Sequence, residues 1–503
     1  MITTPSALSQ TDTFALADAH YASLVSRLQT KATQGLEHGE VEQMINKDGT
    51  ELLRLLFQSH LDLRYANEPA QINVMGSDCA KRPHRRNSTQ RQLTTLFGEV
   101  VVTRLGYSSK EAGVSALYPS DGQLNLAPDQ YSDGIRSRVA TTASLVSFSE
   151  TSQTIRETTG SEVGKRQCEE LIVKVSEDFE DFYVQRASVG IESSADLLVL
   201  STDGKGIVMH QEDLRPATAK AAKANAKALK TRLSPGEKGQ RKRMATVATV
   251  YSTPRFDRRP EQIIGPEVEP LKRPLISNKR VWASVEQDAK TVIQSAFEEA
   301  ARRDPTHQRE WVVLVDGEPH QLDSIKASAQ REQVSPVVVL DFIHVLEYLW
   351  KAAYCFVSPG TTEAETWVME RALRLLQGKA SDIAAGIRRS ATLQGLTNKQ
   401  RENADKCADY LLKYRPYLNY DQYLLSGYPI ASGVIEGACR HLICDRMDIT
   451  GARWRLDRAE AVLKIRALRS SGDFNDYWKF HKTQEFKRNH VSKFQEPERF
   501  LVA

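Results

Sequence analysis

The stretch Leu197-Leu198-Val199-Leu200-Ser201-Thr202-Asp203-Gly204-Lys205-Gly206-Ile207-Val208-Met209 decides how the chain is read. Its first four residues are an apolar run of strand length, a carboxylate follows at Asp203, and a second β-prone run begins at Ile207. Gly204 and Gly206 allow a tight reversal, so the pattern predicts a hairpin that opens a sheet and leaves Asp203 exposed at its edge. Asp-Gly is also an ordinary turn dipeptide, and on this segment alone a turn-forming and a functional Asp203 are equally open.

The pattern recurs. Trp311-Val312-Val313-Leu314-Val315 runs into Asp316-Gly317, and Pro336-Val337-Val338-Val339-Leu340 runs into Asp341. Continuous apolar strands with helices between them indicate a parallel or mixed sheet covered on both faces. Acids gathered at one edge of such a sheet repel unless a cation sits between them. A pair of divalent ions roughly 3.5–4 Å apart is the usual answer in enzymes that cut or join phosphodiesters.

At 503 residues the chain is too long for a single core. Lysine and arginine (68) barely outnumber aspartate and glutamate (64), so a net charge of +4 does not by itself announce a nucleic-acid partner, and the distribution of charge has to carry that argument. The cysteines, Cys79, Cys168, Cys355, Cys407, Cys439 and Cys444, include no C-x-x-C pair, which fits reduced cytosolic thiols better than a disulfide frame. Ser108-Ser109 stand where a zinc ribbon would need cysteines, so no structural zinc is expected. With no long apolar span and no signal pattern, the expectation is a soluble, cytoplasmic protein with no membrane partner. No P-loop pattern is present.

Taken in order, residues 1–93 read as a mainly helical N-terminal region, with an apolar face at Leu52, Leu53, Leu55, Leu56 and Phe57 and then a basic run, Lys81–Arg86. Residues 94–190 read as a small β-hairpin, Thr94–Tyr107, and three helices, Ser132–Ser147, Ser149–Thr158 and Gly164–Val184. The last two resemble a helix-turn-helix, which would put Lys165, Arg166 and Gln167 at the start of a recognition helix. An ordinary helical linker has the same pattern. Ala217–Arg232 predicts a helix with Lys220, Lys223, Lys227 and Lys230 on one face, extended by Arg241, Lys242 and Arg243, and Glu237 is the only acid from Arg215 to Arg243. A lysine stripe is usually a solvated surface, but this unbalanced one is a candidate for DNA phosphates. The amphipathic stretch Ser284–Arg303 precedes the Asp316 strand. The succession of a hairpin, a third strand, helix, strand, helix and strand is that of an RNase H-like fold, with its first and fourth strands side by side.

Several blocks resemble one family. Val199–Met209, Arg232-Leu233-Ser234-Pro235-Gly236-Glu237-Lys238, Leu314–Gly317, Asp341–Trp350, Gly433-Val434-Ile435-Glu436-Gly437-Ala438-Cys439-Arg440-His441 and Asp445–Trp454 are similar to bacterial insertion-sequence transposases of the Kra group, which are related to Mutator-like elements. The likeness runs from about Thr94 to His481. It implies a DDE enzyme whose RNase H-like core (191–357 and 429–485) is interrupted by an all-helical insertion (358–428), with a basic tail at 486–503.

Carried over to this chain, the resemblance makes Asp203 the first acid and Glu436 the last. Asp316 is taken as the second because its strand should lie beside that of Asp203; Asp341, one strand further out, and His344 form an acid-x-x-His pair placed as accessory residues. Their alternative roles are a helix cap and a packed histidine. Two Mg²⁺ ions, with Mn²⁺ as a substitute, are expected on Asp203, Asp316 and Glu436. Arg440 and Arg453 would line the site with positive charge, and Trp454 would either stack on an unpaired base or pack on the fold. The implied partners are double-stranded DNA, as terminal inverted repeats and target, and a second copy of the chain to pair two ends. A nuclease that cuts without joining, or an inactive DNA-binding remnant, are the alternatives, and the implied setting is the bacterial nucleoid.

Overall fold

The computed structural model describes residues 13–186, 196–224, 241–265, 272–449 and 451–501. Two compact units divide the chain, one of residues 1–185 with 473–503 and one of residues 186–472.

In the first unit, helix α1 (Ala15–Leu28) packs along the long helix α2 (His38–Ala66). Two short strands, β1 (Val74–Met75) and β2 (Lys81–Arg82), precede a hairpin of β3 (His84–Thr95) and β4 (Gly98–Ser108). The hairpin therefore begins ten residues before the Thr94 that apolar alternation picks out. Its first strand is polar and mostly exposed, so only its end, from Leu93, carries a hydrophobic signal. Leu61 of α2 packs with Leu93, Val100 and Val102 to form a small core. The basic run is partly structural, since Arg82 is buried and pairs with Asp78 at 2.7 Å.

Helices α3 (Asp133–Ala143), α4 (Phe148–Thr158) and α5 (Lys165–Val175) pack against one another. Phe148 starts a helix rather than breaking one. Ser147 and Glu150 form a reciprocal cap, the Ser147 hydroxyl accepting from the Glu150 N–H at 3.2 Å and the Glu150 carboxylate accepting from the Ser147 N–H at 2.9 Å. The helix expected through Val184 ends at Val175, and α6 (Phe179–Gln185) follows. At the break Asp178 is buried, bonded to His481 at 2.6 Å and to Arg488 at 2.9 Å. Those partners lie on the helix Phe474–Asn489, which belongs to this unit rather than to the α/β unit. The stretch read as a basic tail also has core residues: Phe494, Phe500 and Leu501 pack with Val74, Leu105, Tyr107 and Leu117.

The second unit is built on a mixed five-stranded sheet. Strand β5 (Leu197–Val208) pairs antiparallel with β6 (Lys242–Thr253), which pairs with β7 (Ser277–Ser284). On its other side β5 pairs in parallel with β8 (Trp311–Val315), and β8 with β9 (Val337–Leu340), giving the order β7-β6-β5-β8-β9. The first and fourth strands of the sheet are neighbours, as the element succession predicts. Leu197, Leu198, Val199 and Leu200 are at most 1 % exposed, because this sheet is covered on both faces.

The expected turn at Asp203-Gly204 is not there. β5 runs straight through it, paired residue for residue with β6 from Leu197↔Thr253 through Asp203↔Val247 to Val208↔Lys242. The twelve-residue ladder with β6 supplies backbone partners along the whole stretch, and it outweighs the local preference of Asp-Gly. Gly206 serves close approach instead, since a Cβ there would lie 2.8 Å from Lys242 Cδ.

Crossover helices α8 (Ala289–Arg303) and α9 (Pro319–Arg331), numbered after the short α7 (Pro216–Ala224), link β7 to β8 and β8 to β9. Asp288 caps α8, accepting from the Thr291 N–H at 2.8 Å, so the helix starts five residues after Ser284, which is still strand. After β9 come α10 (Phe342–Ala353) and the helices α11 (Thr362–Leu376), α12 (Ala380–Leu393), α13 (Glu402–Lys413) and α14 (Tyr420–Leu425). Cys407, Ala404, Ala408 and Leu411 give α13 a buried stripe, which packs on α10 and α12. Helices α15 (Gly433–Cys439) and α16 (Leu456–Ser471) complete the unit, α16 against β7. Among the described residues no helix is long and apolar enough to cross a membrane.

Candidate active site

The register of the parallel strands brings the acids together. Ser201↔Leu314 is the last pair between β5 and β8, so Asp203 and Asp316 lie at corresponding positions two residues past it. Val315 pairs with Leu340, so one further residue sets Asp316 beside Asp341. With strands about 4.8 Å apart, the three acids form a row across β5, β8 and β9 that spans roughly 10 Å.

Helix α15 crosses this row. Its N-cap residue, Ser432, donates its hydroxyl to Asp341 Oδ2, and at its other end Cys439 donates its thiol to Asp203 Oδ2 at 3.2 Å. Seven residues of helix rise about 10 Å, which matches two strand spacings. Ser432, Glu436 and Cys439 are spaced i, i+4, i+7 and share one helical face. Glu436 thus lies on that face, between the two anchored ends. It is exposed, and its carboxylate makes no hydrogen bond or ion pair among the described residues. A π-helical turn, Arg440–Cys444, continues α15, a local feature often found beside functional sites.

Each aspartate has a local partner. Asp203 Oδ1 accepts from the Gly204 N–H at 2.6 Å, and Asp316 Oδ1 from the Glu318 N–H at 3.0 Å. Asp341 is 7 % exposed and uses both oxygens, one for the Ile343 N–H at 2.9 Å as the cap of α10 and one for Ser432. His344 meets the rings of Tyr348 and Tyr410, at 5.8 and 6.3 Å between centroids. Asp341 and His344 are therefore engaged in capping and packing; Asp203 also has a partner on each oxygen, whereas Asp316 keeps one oxygen open and Glu436 both.

Burial, and then the Asp203 charge, push the Cys439 thiol well above its ordinary range, which keeps it a protonated donor to Asp203 at neutral pH. Three hard carboxylates suit Mg²⁺ or Mn²⁺ in donor chemistry. As the side chains stand, each is turned to a protein partner or to solvent, and among the described residues no three metal-binding side chains converge. Gathering the three carboxylates on one ion would require rotation of their side chains.

The cationic residues divide into exposed and committed groups. Lys165, Arg166 and Gln167 are exposed in the first turn of α5, with Arg166 2.9 Å from Glu170. Lys220 and Lys223 are exposed on α7; Lys227 and Lys230 lie outside the described residues. Arg241 and Lys242 are half-buried, and Arg440 and Arg453 are exposed. Arg243 is not free for phosphate: its guanidinium donates to the carbonyls of Val285 (2.7 Å), Asp213 (3.0 Å) and Glu286 (3.2 Å). Trp454 is not free for stacking on a base either. It is 5 % exposed, bonds the Met447 carbonyl through Nε1 at 3.0 Å, lies under the Arg446 guanidinium, and pairs by its backbone with the end of β5. Its backbone is tied there as well, the Trp454 N–H donating to the Val208 carbonyl at 3.0 Å and its carbonyl accepting from the His210 N–H at 2.9 Å.

Sequence reasoning missed the residues that hold the acids. Cys439 was within the quoted motif, one helical turn after Glu436, and that spacing was the available signal. Ser432 carries no such signal, and the helical segment is marked only by its tyrosine density: Tyr410, Tyr414, Tyr417, Tyr420, Tyr423 and Tyr428 fall within one short stretch. No family model matches the chain, and no curated protein is significantly similar to it.

Proposed function

We propose that this protein is a DDE transposase with an RNase H-like core, cutting DNA at the ends of an insertion sequence and joining those ends to target DNA. The observation that carries the reading is the row of Asp203 and Asp316 with Glu436 presented across it by a helix anchored at both ends. The strand order and the parallel pairing of β5 with β8 support the fold assignment.

In this reading Asp203, Asp316 and Glu436 hold two Mg²⁺ ions, or Mn²⁺ in their place. When bound, the ions lower the pKa of the attacking hydroxyl and neutralise the leaving oxygen. The protein's own residues orient the ligands. Cys439 fixes one oxygen of Asp203, the Gly204 and Glu318 N–H groups fix one each of Asp203 and Asp316, and Asp341 secures the start of α10. Gln321 donates to the carbonyl and hydroxyl of Thr202 at 2.7 and 2.9 Å, which holds α9 against the strand beside Asp203. Exposed Lys165, Lys220, Lys223, Arg440 and Arg453 supply cations for phosphates. Pairing two ends calls for a second copy of the chain.

Glu436→Gln tests the assignment. Its exposed carboxylate has no structural partner, so folding and DNA binding should survive while strand transfer disappears. Strand transfer at the wild-type rate would remove Glu436 from the site.

A further inference from the structure

The acid-bearing ends of β8 and β9 are held by hydroxyls from the helical segment. Tyr410, on α13, donates to the carbonyl of Asp316 at 3.0 Å, and Tyr414, just past that helix, donates to the carbonyl of Gly317. Tyr420 and Tyr423, on α14, donate to the carbonyls of Leu340 at 2.8 Å and Val338 at 3.3 Å. The second pair has an evident structural use. β9 is the edge strand, alternate carbonyls of an edge strand point away from the sheet, and Leu340 and Val338 are two apart.

The first pair is different, because its target is the loop that carries the second acid. Asp316-Gly317 lies beyond the last paired residue of β8, so ladder bonds do not fix it. Gly317 has φ +91°, and a Cβ there would lie 3.0 Å from Leu340 Cδ1 and 3.3 Å from both the Tyr410 hydroxyl oxygen and Tyr414 Cζ. The hydroxyls are in turn well located. Tyr410 stacks on Tyr348 of α10 at 3.9 Å and 11°, packs near Tyr414 at 4.8 Å, and has the His344 ring against it. Burial holds the Tyr410 hydroxyl protonated far above neutral pH, so it stays a donor.

We propose that the helical segment 358–428 is the positioning device for the second acid, with Tyr410 and Tyr414 as positioning residues that set the main chain of Asp316-Gly317 and thereby where the Asp316 carboxylate stands. The metal-binding part of this proposal rests on the functional reading above; the positioning part does not. His344 then acts through Tyr410, as one wall of its ring slot, and not on substrate.

Two readouts on the full chain separate these parts. In Tyr410→Phe and Tyr414→Phe, which keep the rings, hydrogen exchange of peptides covering 311–321 should quicken, while Tyr423→Phe leaves them as in wild type. Mn²⁺ titration followed by electron paramagnetic resonance should show affinity weakened about three- to tenfold in the first two variants, the range expected for one hydrogen bond. Restoring one hydroxyl at a time in the double variant Tyr410→Phe/Tyr414→Phe identifies the dominant donor. Exchange and affinity both unchanged in Tyr410→Phe and Tyr414→Phe would overturn the proposal, as would faster exchange with unchanged affinity. Faster exchange in a protein whose wild type takes no Mn²⁺ would leave the positioning intact and refute the metal-dependent reading instead.

Discussion

Glu299 offers the sharpest energetic prediction. Its side chain is 11 % exposed on α8 and meets Arg280 at 2.5 Å, Arg303 at 2.6 Å and Arg302 at 2.8 Å. Burial opposes ionisation, but the arginines, Arg280 foremost, outweigh it and bring the carboxyl from 4.5 down to about 2. That difference of roughly 2.5 pH units corresponds to about 3 kcal/mol. The sign follows from the direction. A depressed carboxyl stabilises the fold fully above its unfolded value, near pH 4.3, and loses that contribution as pH falls toward 2. Glu299→Gln also removes the charge that Glu299 sets against Arg280, itself 6 % exposed, and removal of one partner of a buried pair costs about 3–5 kcal/mol. The expected penalty is therefore about 3 kcal/mol at pH 7, falling to roughly half at pH 3. Urea unfolding followed by hydrogen exchange in β7 and α8 peptides, at both pH values, measures it. A penalty below about 1 kcal/mol at pH 7, or one of equal size at pH 3, would refute the reasoning.

Two further predictions concern the site and its approach to DNA. Gly317→Ala combines a positive φ, costing about 1–2 kcal/mol, with crowding worth about 1–3 kcal/mol against Leu340, Tyr410 and Tyr414. It should cut DNA cleavage by at least about tenfold, whereas Gly395→Ala, with φ +64° and open space around it, should bear the backbone cost alone and keep its activity. Parallel cleavage assays and melting curves compare them. Replacing exposed Lys220 and Lys223 by glutamine should reduce the steepness of log affinity against log salt by about 1.8, at roughly 0.9 per phosphate contact. An unchanged slope would make α7 a solvated surface.

Periodicity located most of the α/β unit because its strands are buried on both faces and its helices on one. Leu197–Leu200, Trp311–Val315 and the stripe from Val292 to Ala300 have no other use than to make a core. Local signals failed where a distant partner decided the outcome. Asp203-Gly204 is straight because β6, about forty residues on, supplies a ladder. The polar strand His84–Gln92 is held by β4 rather than by any alternation of its own, and the end of the chain is fixed by aromatic residues meeting Val74 and Leu105. Asp316 and Asp341 were legible as carboxylates just past apolar strands, and Asp203 as the acid closing an apolar run although it lies within β5; the parallel pairing of β5, β8 and β9 carries them to one side of the sheet. Their supports were not: Cys439, Ser432, Tyr410 and Tyr414 act through hydroxyl and thiol contacts across long sequence separations, which leave no periodic trace.

The central claim is tested most directly by a Mg²⁺-dependent cleavage and joining assay on labelled DNA carrying the two ends that flank the gene, with wild type beside Asp203→Ala. End-specific cleavage and a joined product are expected from the wild type alone. Binding without cleavage by both proteins, or equal cleavage by both, would contradict it.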